Sequence, residues 1–177
     1  MPTCAISGKE VQEGDNFFGL PAFPCGPQDP LANYCEACVL RDEFEKWELR
    51  EVLVQKVKEF WGQWLSTSEF SSSIFHDDIY LIVKNRADNS VRIHFIQHLF
   101  LIHVQRKDWK EFYGQMMGPV NEISIGHYTI YTIRKKEEKV EISETYKYGQ
   151  DRIEVTLEEW EHLQDALRIA NKSLLDW

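Results

Sequence analysis

The sequence predicts an α+β protein in three parts: a small four-cysteine module, a connecting helix and loop, and a domain in which one antiparallel strand-strand-strand-helix unit occurs twice. Three observations predict it. All four cysteines lie between Cys4 and Cys38. A helical spacing of apolar residues runs from Val39 to about Leu65. Short strand-like runs in the C-terminal part recur at an offset of 51 residues. The expected boundaries are 1–40 for the module, 41–74 for the helix and loop, and 75–177 for the duplicated domain, with repeats at about 78–118 and 127–175.

The chain has 177 residues, enough for one good domain and a small appendage. Its hydrophobic share is 43% and its charged share 28%, which is globular and not disordered composition. The longest apolar stretches, such as Leu99–Val104, are strand-sized, so no membrane span is expected. Met1–Glu10 has no basic start followed by an apolar run, so a secretory signal is not expected and a cytoplasmic location is the default. The net charge of −9 argues against strong non-specific binding to duplex DNA, whose affinity comes from phosphate contacts. Most of the imbalance lies before residue 75. The C-terminal part carries 14 basic and 17 acidic groups, so a local basic face can exist there.

The cysteines are Cys4, Cys25, Cys35 and Cys38. The last two form Cys35-Glu36-Ala37-Cys38, and the residues that follow, Val39 to Trp47, read as the start of a helix. Two thiolates at a helix N-terminus can bite one ion, and the positive helix end favours their charge. Forty residues bury too little surface to fold alone without a metal. These features predict a structural zinc held by all four cysteines, a site that leaves no open position for chemistry. The alternatives are four reduced packing thiols or a redox Cys-x-x-Cys, the latter without a thioredoxin-like context around Cys35. A knuckle, a hairpin and a Cys-x-x-Cys on a helix resemble the treble-clef zinc domains over residues 4–50. In this chain the knuckle reads Cys4-Ala5-Ile6-Ser7, with Ser7 where a second cysteine would stand.

In the helical stretch, Phe44, Trp47, Val57, Phe60, Trp61, Trp64 and Leu65 form an apolar stripe with an aromatic end. It either packs on the β domain or docks a partner helix. The serines at 66, 68 and 71–73 read as a loop.

The repeat rests on three pairs of runs. Ile79-Tyr80-Leu81-Ile82-Val83-Lys84 matches Ile130-Tyr131-Thr132-Ile133-Arg134-Lys135. After a two-residue shift, Val91-Arg92-Ile93 matches Val140-Glu141-Ile142. Ile102-His103-Val104 matches Ile153-Glu154-Val155. Helices are expected from near Asp108 and near Glu158. Thr156 is the predicted N-cap of the second, with Glu159 at the capping-box position. One unit alone would leave an open apolar face, which two units can bury against each other. The first copy, with Val91-Arg92-Ile93, Phe100-Leu101-Ile102 and Lys107-Asp108-Trp109, resembles the repeats of Pur-alpha-like (purine-rich-element-binding) proteins and their bacterial relatives. The run Ile153–Trp160 also resembles the last strand and helix of related single-stranded-DNA-binding transcription coactivators. That resemblance covers about residues 75–175. It implies two intertwined repeats and binding of single-stranded nucleic acid on a curved sheet, with a homodimer as a further expectation.

Binding of single strands needs aromatic platforms beside cations. The candidates are Tyr80, Lys84, Arg86 and Arg92 in the first copy and Tyr131, Arg134, Lys135, Tyr146 and Lys147 in the second. Against this stands the simpler reading that the cations solvate hairpin turns and the tyrosines fill alternate strand positions. No Gly-x-Ser-x-Gly, P-loop, Gly-x-Gly-x-x-Gly or His-Glu-x-x-His motif is present, so no enzyme is expected. The functional expectation is a non-catalytic regulator that binds single-stranded DNA or RNA. The alternative is a zinc-containing protein-interaction adaptor with no nucleic-acid contact.

Overall fold

The computed structural model describes residues 2–118, 122–125, 130–145 and 149–175. The protein is mixed α and β, with one small and two larger antiparallel sheets. β1 (Phe17–Gly19) pairs with β2 (Cys38–Leu40), and α1 (Arg41–Glu45) and α2 (Arg50–Thr67) follow. β3 (Ser71–His76), β4 (Tyr80–Asn85), β5 (Ser90–Phe95) and β6 (Phe100–Gln105) then form one sheet in sequence order, and α3 (Trp109–Met117) comes next. β7 (Glu122–Ile125), β8 (Ile130–Lys135), β9 (Lys139–Thr145) and β10 (Gln150–Thr156) form a second sheet, also in sequence order, followed by α4 (Leu157–Leu174). Among the described residues no helix is long and apolar enough to cross a membrane.

Each half therefore has four strands before its helix, where the sequence predicts three. The extra strands, β3 and β7, begin 51 residues apart and lie at sheet edges. Ser71-Ser72-Ser73 reads as loop because it is polar. An edge strand hydrogen-bonds on one side only and tolerates polar residues facing water. β3 does so, with a register shift between Ser73 and Phe75.

The two sheets differ in how their faces are used. In β4 both faces are largely buried, while β5 buries Val91, Ile93 and Phe95 and leaves Arg92 and His94 half-buried on its other face. Tyr80, Ile82, Val91 and Ile93 look into a core shared with the second sheet. Leu81 and Val83 look the other way, into a second core under α2. That is why β4 reads as a continuous apolar run. In the second sheet Tyr131, Ile133, Ile142 and Val155 face the shared core, while Arg134, Arg152 and Glu154 alternate with them on the outer face. α4 binds both halves. Its Trp160, Leu163 and Leu167 fill the shared core, and it packs on β3 and β4 as well as on β9 and β10. The capping box at its start forms as expected, Thr156 Oγ1 accepting from Glu159 N at 3.1 Å and Glu159 Oε2 from Thr156 N at 2.7 Å.

Instead of one helix from Val39, the chain makes a short strand and two helices with a break at Lys46–Leu49. The break lets Phe44 pack edge-on against Phe18 (5.1 Å between centroids) while Leu53, Val54 and Val57 of α2 reach the outer face of the first sheet. Residues 1–40 thus have no separate core. Cys4, Phe18, Leu20 and Val39 share theirs with α2, Leu81 and Val83.

Arg41 ties the three parts together. Its guanidinium lies 3.6 Å above the Phe18 ring, donates to the carbonyl of His98 at the turn before β6, and bonds Asp151 of β10 through Nε (2.9 Å) and Nη2 (2.5 Å). Both side chains are 4% exposed. Beside this pair, Asn16 acts as a one-residue strand against β10, its side-chain amide donating to Arg152 O (3.0 Å) and accepting from Arg152 N (2.7 Å). Gly149 lies against the Phe17 ring, where an added Cβ would collide with the ring and stand 3.1 Å from Asp15 O.

Removing one partner of a buried ion pair leaves an uncompensated charge. Arg41→Met is expected to destabilise the fold by about 3–5 kcal/mol in urea denaturation. Arg41→Met combined with Asp151→Leu should cost less than the two single changes summed. Additive costs would show that the pair is not coupled.

Candidate nucleic-acid interface

The two aligned tyrosines do not form stacking platforms. Tyr80 is 0% exposed and Tyr131 is 3% exposed. Each spans the two halves instead. Tyr80, from the first sheet, donates its hydroxyl to the carbonyl of Glu159 in α4 (2.7 Å). Tyr131, from the second sheet, accepts the backbone N–H of His103 in β6 (3.2 Å). Burial raises the pKa of both phenols. Around Tyr80, Asp77 accepts from the N–H groups of Ile79 and Tyr80 and contacts His162 Nε2 at 2.5 Å, and the His162 ring stacks on Tyr80. Burial acts to raise the Asp77 pKa, but these three partners outweigh it and hold it below the ordinary value.

Of the candidate cations of the second copy, Arg134 is drawn to a carboxylate. Glu141, almost buried on the outer face of the sheet, is ringed by Lys136 (2.8 Å), Arg134 (3.8 Å) and Arg152 (3.8 Å). Lys136 and Lys139 also reach Glu154. Lys135 is exposed and lines a shallow cavity with Leu157, Trp160 and Glu161. Tyr146 and Lys147, the remaining candidates of this copy, lie outside the described residues. In the first copy, Arg92 is paired with Asp88, which also accepts from Ser90 Oγ at 2.5 Å.

Lys84 and Arg86 are placed differently. The pairings Ser71↔Asn85, Asn85↔Ser90 and Ser90↔Gln105 align one end of the first sheet. Arg86 follows β4 and Arg106 follows β6 at that end, and both are exposed. Lys84 is one residue inside the strand end. Partial burial, then the nearby charges of Arg86 and Arg106, push its pKa down. Phe70 sits at the same end, 60% exposed, its carbonyl accepting from Arg86 N at 2.7 Å. Sequence reading missed Phe70 and Arg106 because each lies in a connection. Only strand register brings them beside Lys84 and Arg86.

Close by, a groove of about 240 Å³ opens between α2 and the outer face of this sheet. Leu81 and Val83 form its floor, and Phe60, Trp61, Trp64 and Leu65 of α2 form one wall. Arg92 and His94 form the other, with the His94 ring 4.4 Å from that of Trp61. Burial, and then the Arg92 charge, push the His94 pKa down to about 3.

The cysteines form two neighbouring pairs. Cys4 is buried. Burial acts to raise its pKa, but the N–H of Leu40 (3.4 Å to Sγ), the Ser7 hydroxyl and the N–H groups of Ser7 and Ile6 outweigh this and lower it. Burial and the adjacent Cys4 raise the Cys38 pKa. Desolvation and then Cys35 raise that of the exposed Cys25. Cys35 donates to Phe23 O. The Cys-x-x-Cys does not open a helix. Glu36 takes a left-handed turn (φ 56°), Cys38 begins β2, and α1 starts only at Arg41. Among the described residues no three His, Cys, Asp or Glu side chains gather as a metal-binding group. Comparison with protein-family models, curated protein sequences and solved structures finds no match for this chain.

The His94 shift has a defined pH consequence. Above pH 6.5 its ring is neutral in the folded and the unfolded chain alike. Below 6.5 the unfolded chain takes up a proton that the folded protein refuses until about pH 3, so stability falls with pH by up to about 1.4 kcal/mol per unit. Asp77 adds loss of the same sign at lower pH, as its depressed folded pKa is approached. Thermal melts of wild type and His94→Gln from pH 7 to 5 test this, with a flatter profile expected for the variant. Parallel profiles would place the acid sensitivity elsewhere.

Proposed function

We propose that this chain is a non-catalytic protein that binds single-stranded nucleic acid at the end of its first sheet. One observation carries the reading: Phe70, 60% exposed, lies at the same end of the first sheet as Lys84, Arg86 and Arg106. A ring on which a base can stack beside cations that meet the backbone is the combination single-strand binding needs. The reading moves the binding surface away from the two tyrosines and from the paired cations of the second sheet. The like order of four strands and a helix in both halves supports descent from one duplicated unit, as the resemblance to Pur-alpha-like repeats implies.

The test is fluorescence anisotropy with labelled single-stranded DNA and RNA at several salt concentrations. Wild type is expected to bind with salt-dependent affinity. Arg86→Glu and Arg106→Glu should each weaken binding and reduce the salt slope by about one ion contact. Phe70→Ala should weaken binding by about 1–3 kcal/mol with the slope retained. Unchanged affinity in all three variants would move binding off this surface.

A second reading, the protein-interaction adaptor, is favoured by the exposed apolar residues Val52 and Trp64 on α2. It predicts a stable protein complex and no oligonucleotide binding at low salt.

The proposal includes a structural zinc on Cys4, Cys25, Cys35 and Cys38. Its support is the N–H and hydroxyl cradle that favours the Cys4 thiolate, together with the two neighbouring cysteine pairs. Burial does not require the metal, because the module completes its core on α2 and the first sheet. Metal analysis of protein purified without added zinc should find one ion per chain, and a chelator should lower the melting temperature. A metal-free protein with the same melting temperature would leave four reduced thiols.

A further inference from the structure

We infer that the groove between α2 and the outer face of the first sheet is a binding site for a small, uncharged, planar heteroaromatic molecule, which lies against Trp64 and hydrogen-bonds His94 through a ring nitrogen or carbonyl oxygen. The inference is independent of the proposed single-strand binding.

His94 is the observation that points to a ligand. The floor and the helix wall of the groove are apolar, with Leu81 and Val83, each 1% exposed, beneath Phe60, Trp61, Trp64 and Leu65. The opposite wall carries two polar side chains, Arg92 and His94. Arg92 is committed to Asp88, in the turn before β5. His94 has no such partner. Among the described residues its ring meets Trp61, 4.4 Å between centroids, and neither ring nitrogen takes a hydrogen bond. Nor are these nitrogens sealed from solvent, since the sealed polar atoms without a partner among the described residues are Arg50 Nε and Ser71 Oγ.

Charge sets the class of ligand. An anion would have to draw Arg92 from Asp88, and a cation would find no carboxylate among the described residues of the lining. Burying a charge without a partner is costly, so an uncharged molecule is favoured. His94 is itself neutral at physiological pH and offers one N–H and one acceptor nitrogen. A purely hydrocarbon ligand would strip water from them and leave them unpaired, at about 1–3 kcal/mol for each. A ligand with an acceptor atom takes the N–H and avoids that cost.

Shape sets its size. Trp64 follows Trp61 by three residues, a spacing that puts both on one side of α2. Trp61 lies against His94, while Trp64, 38% exposed, lines the groove with more of its surface open. Indoles prefer offset stacking with flat rings. At about 240 Å³ the groove lies below the range of drug-sized ligands, roughly 300–1,000 Å³, and suits one or two fused rings.

The experiment titrates the ¹⁵N-labelled full chain at pH 7 with quinoline, with naphthalene, which has the same shape and no acceptor, and with N-acetyltryptophanamide. The readout is the indole N–H signals of Trp61 and Trp64, assigned from Trp61→Phe and Trp64→Phe. Quinoline should shift both signals saturably and bind roughly 2- to 10-fold tighter than naphthalene, the scale of one hydrogen bond. His94→Leu should abolish that preference, and Trp64→Ala should weaken both ligands at least ~3-fold, the scale of one ring pair. Circular dichroism melts establish that the variants fold, and the wild-type comparison needs no variant. No saturable shift of the two signals at millimolar quinoline overturns the site. Equal affinity for quinoline and naphthalene overturns it, as does a preference that survives His94→Leu or binding unchanged in Trp64→Ala. Tighter binding of N-acetyltryptophanamide than of quinoline also overturns it and assigns the groove to an aromatic side chain of a partner protein.

Discussion

The guanidinium of Arg41 is the point on which the arrangement of the three parts depends. It lies on the ring of Phe18 in the cysteine module, donates to the carbonyl of His98 in the first half, and pairs with Asp151 in the second. A buried carboxylate is costly unless it is paired and hydrogen-bonded. Burial acts to raise the Asp151 pKa, and Arg41 opposes this. The pair therefore specifies a position more than it adds stability, since an apolar pair of similar volume can hold such a site as well. Arginine suits it because the planar guanidinium stacks on an aromatic ring and donates from several nitrogens at once.

Around that point the two halves are joined reciprocally. Tyr80 reaches from the first sheet to α4, and Tyr131 reaches from the second sheet to β6. Trp109 of α3 donates to Asn171 of α4, and Gln164 of α4 donates to the carbonyl of Met116. The inner faces of the two four-stranded sheets share one core, because one cluster contains both with α3 and α4. The outer faces then take different roles. That of the first sheet is covered by α2 and the cysteine module, which leaves the aromatic groove at its rim. That of the second stays polar and arranges its charges around Glu141 and Glu154.

Much of the local structure was legible in the sequence. Thr156 and Glu159 marked the start of α4 because a capping box is built from residues three apart. The runs at Tyr80 and Tyr131 were legible because a strand's apolar pattern is also local along the chain. The Ser-rich β3 was not, because its strand state comes from pairing with β4 and not from its own composition. The single helix expected from Val39 became a strand and two helices because Phe44 and Leu53 pack on different partners within one core.

By itself, the sequence determined the class of elements, the recurrence at 51 residues, the clustering of the cysteines and the excess of acid, all of which depend on neighbours along the chain. Only the tertiary structure decided which candidate residues share a surface. Alternation along a strand says that two faces differ, yet it does not say whether both are covered, so Tyr80 and Tyr131 became interior bridges. Register alone brought Phe70 and Arg106 to Lys84 and Arg86. Contacts between residues distant in the chain follow from how faces are buried against each other, which no local pattern encodes.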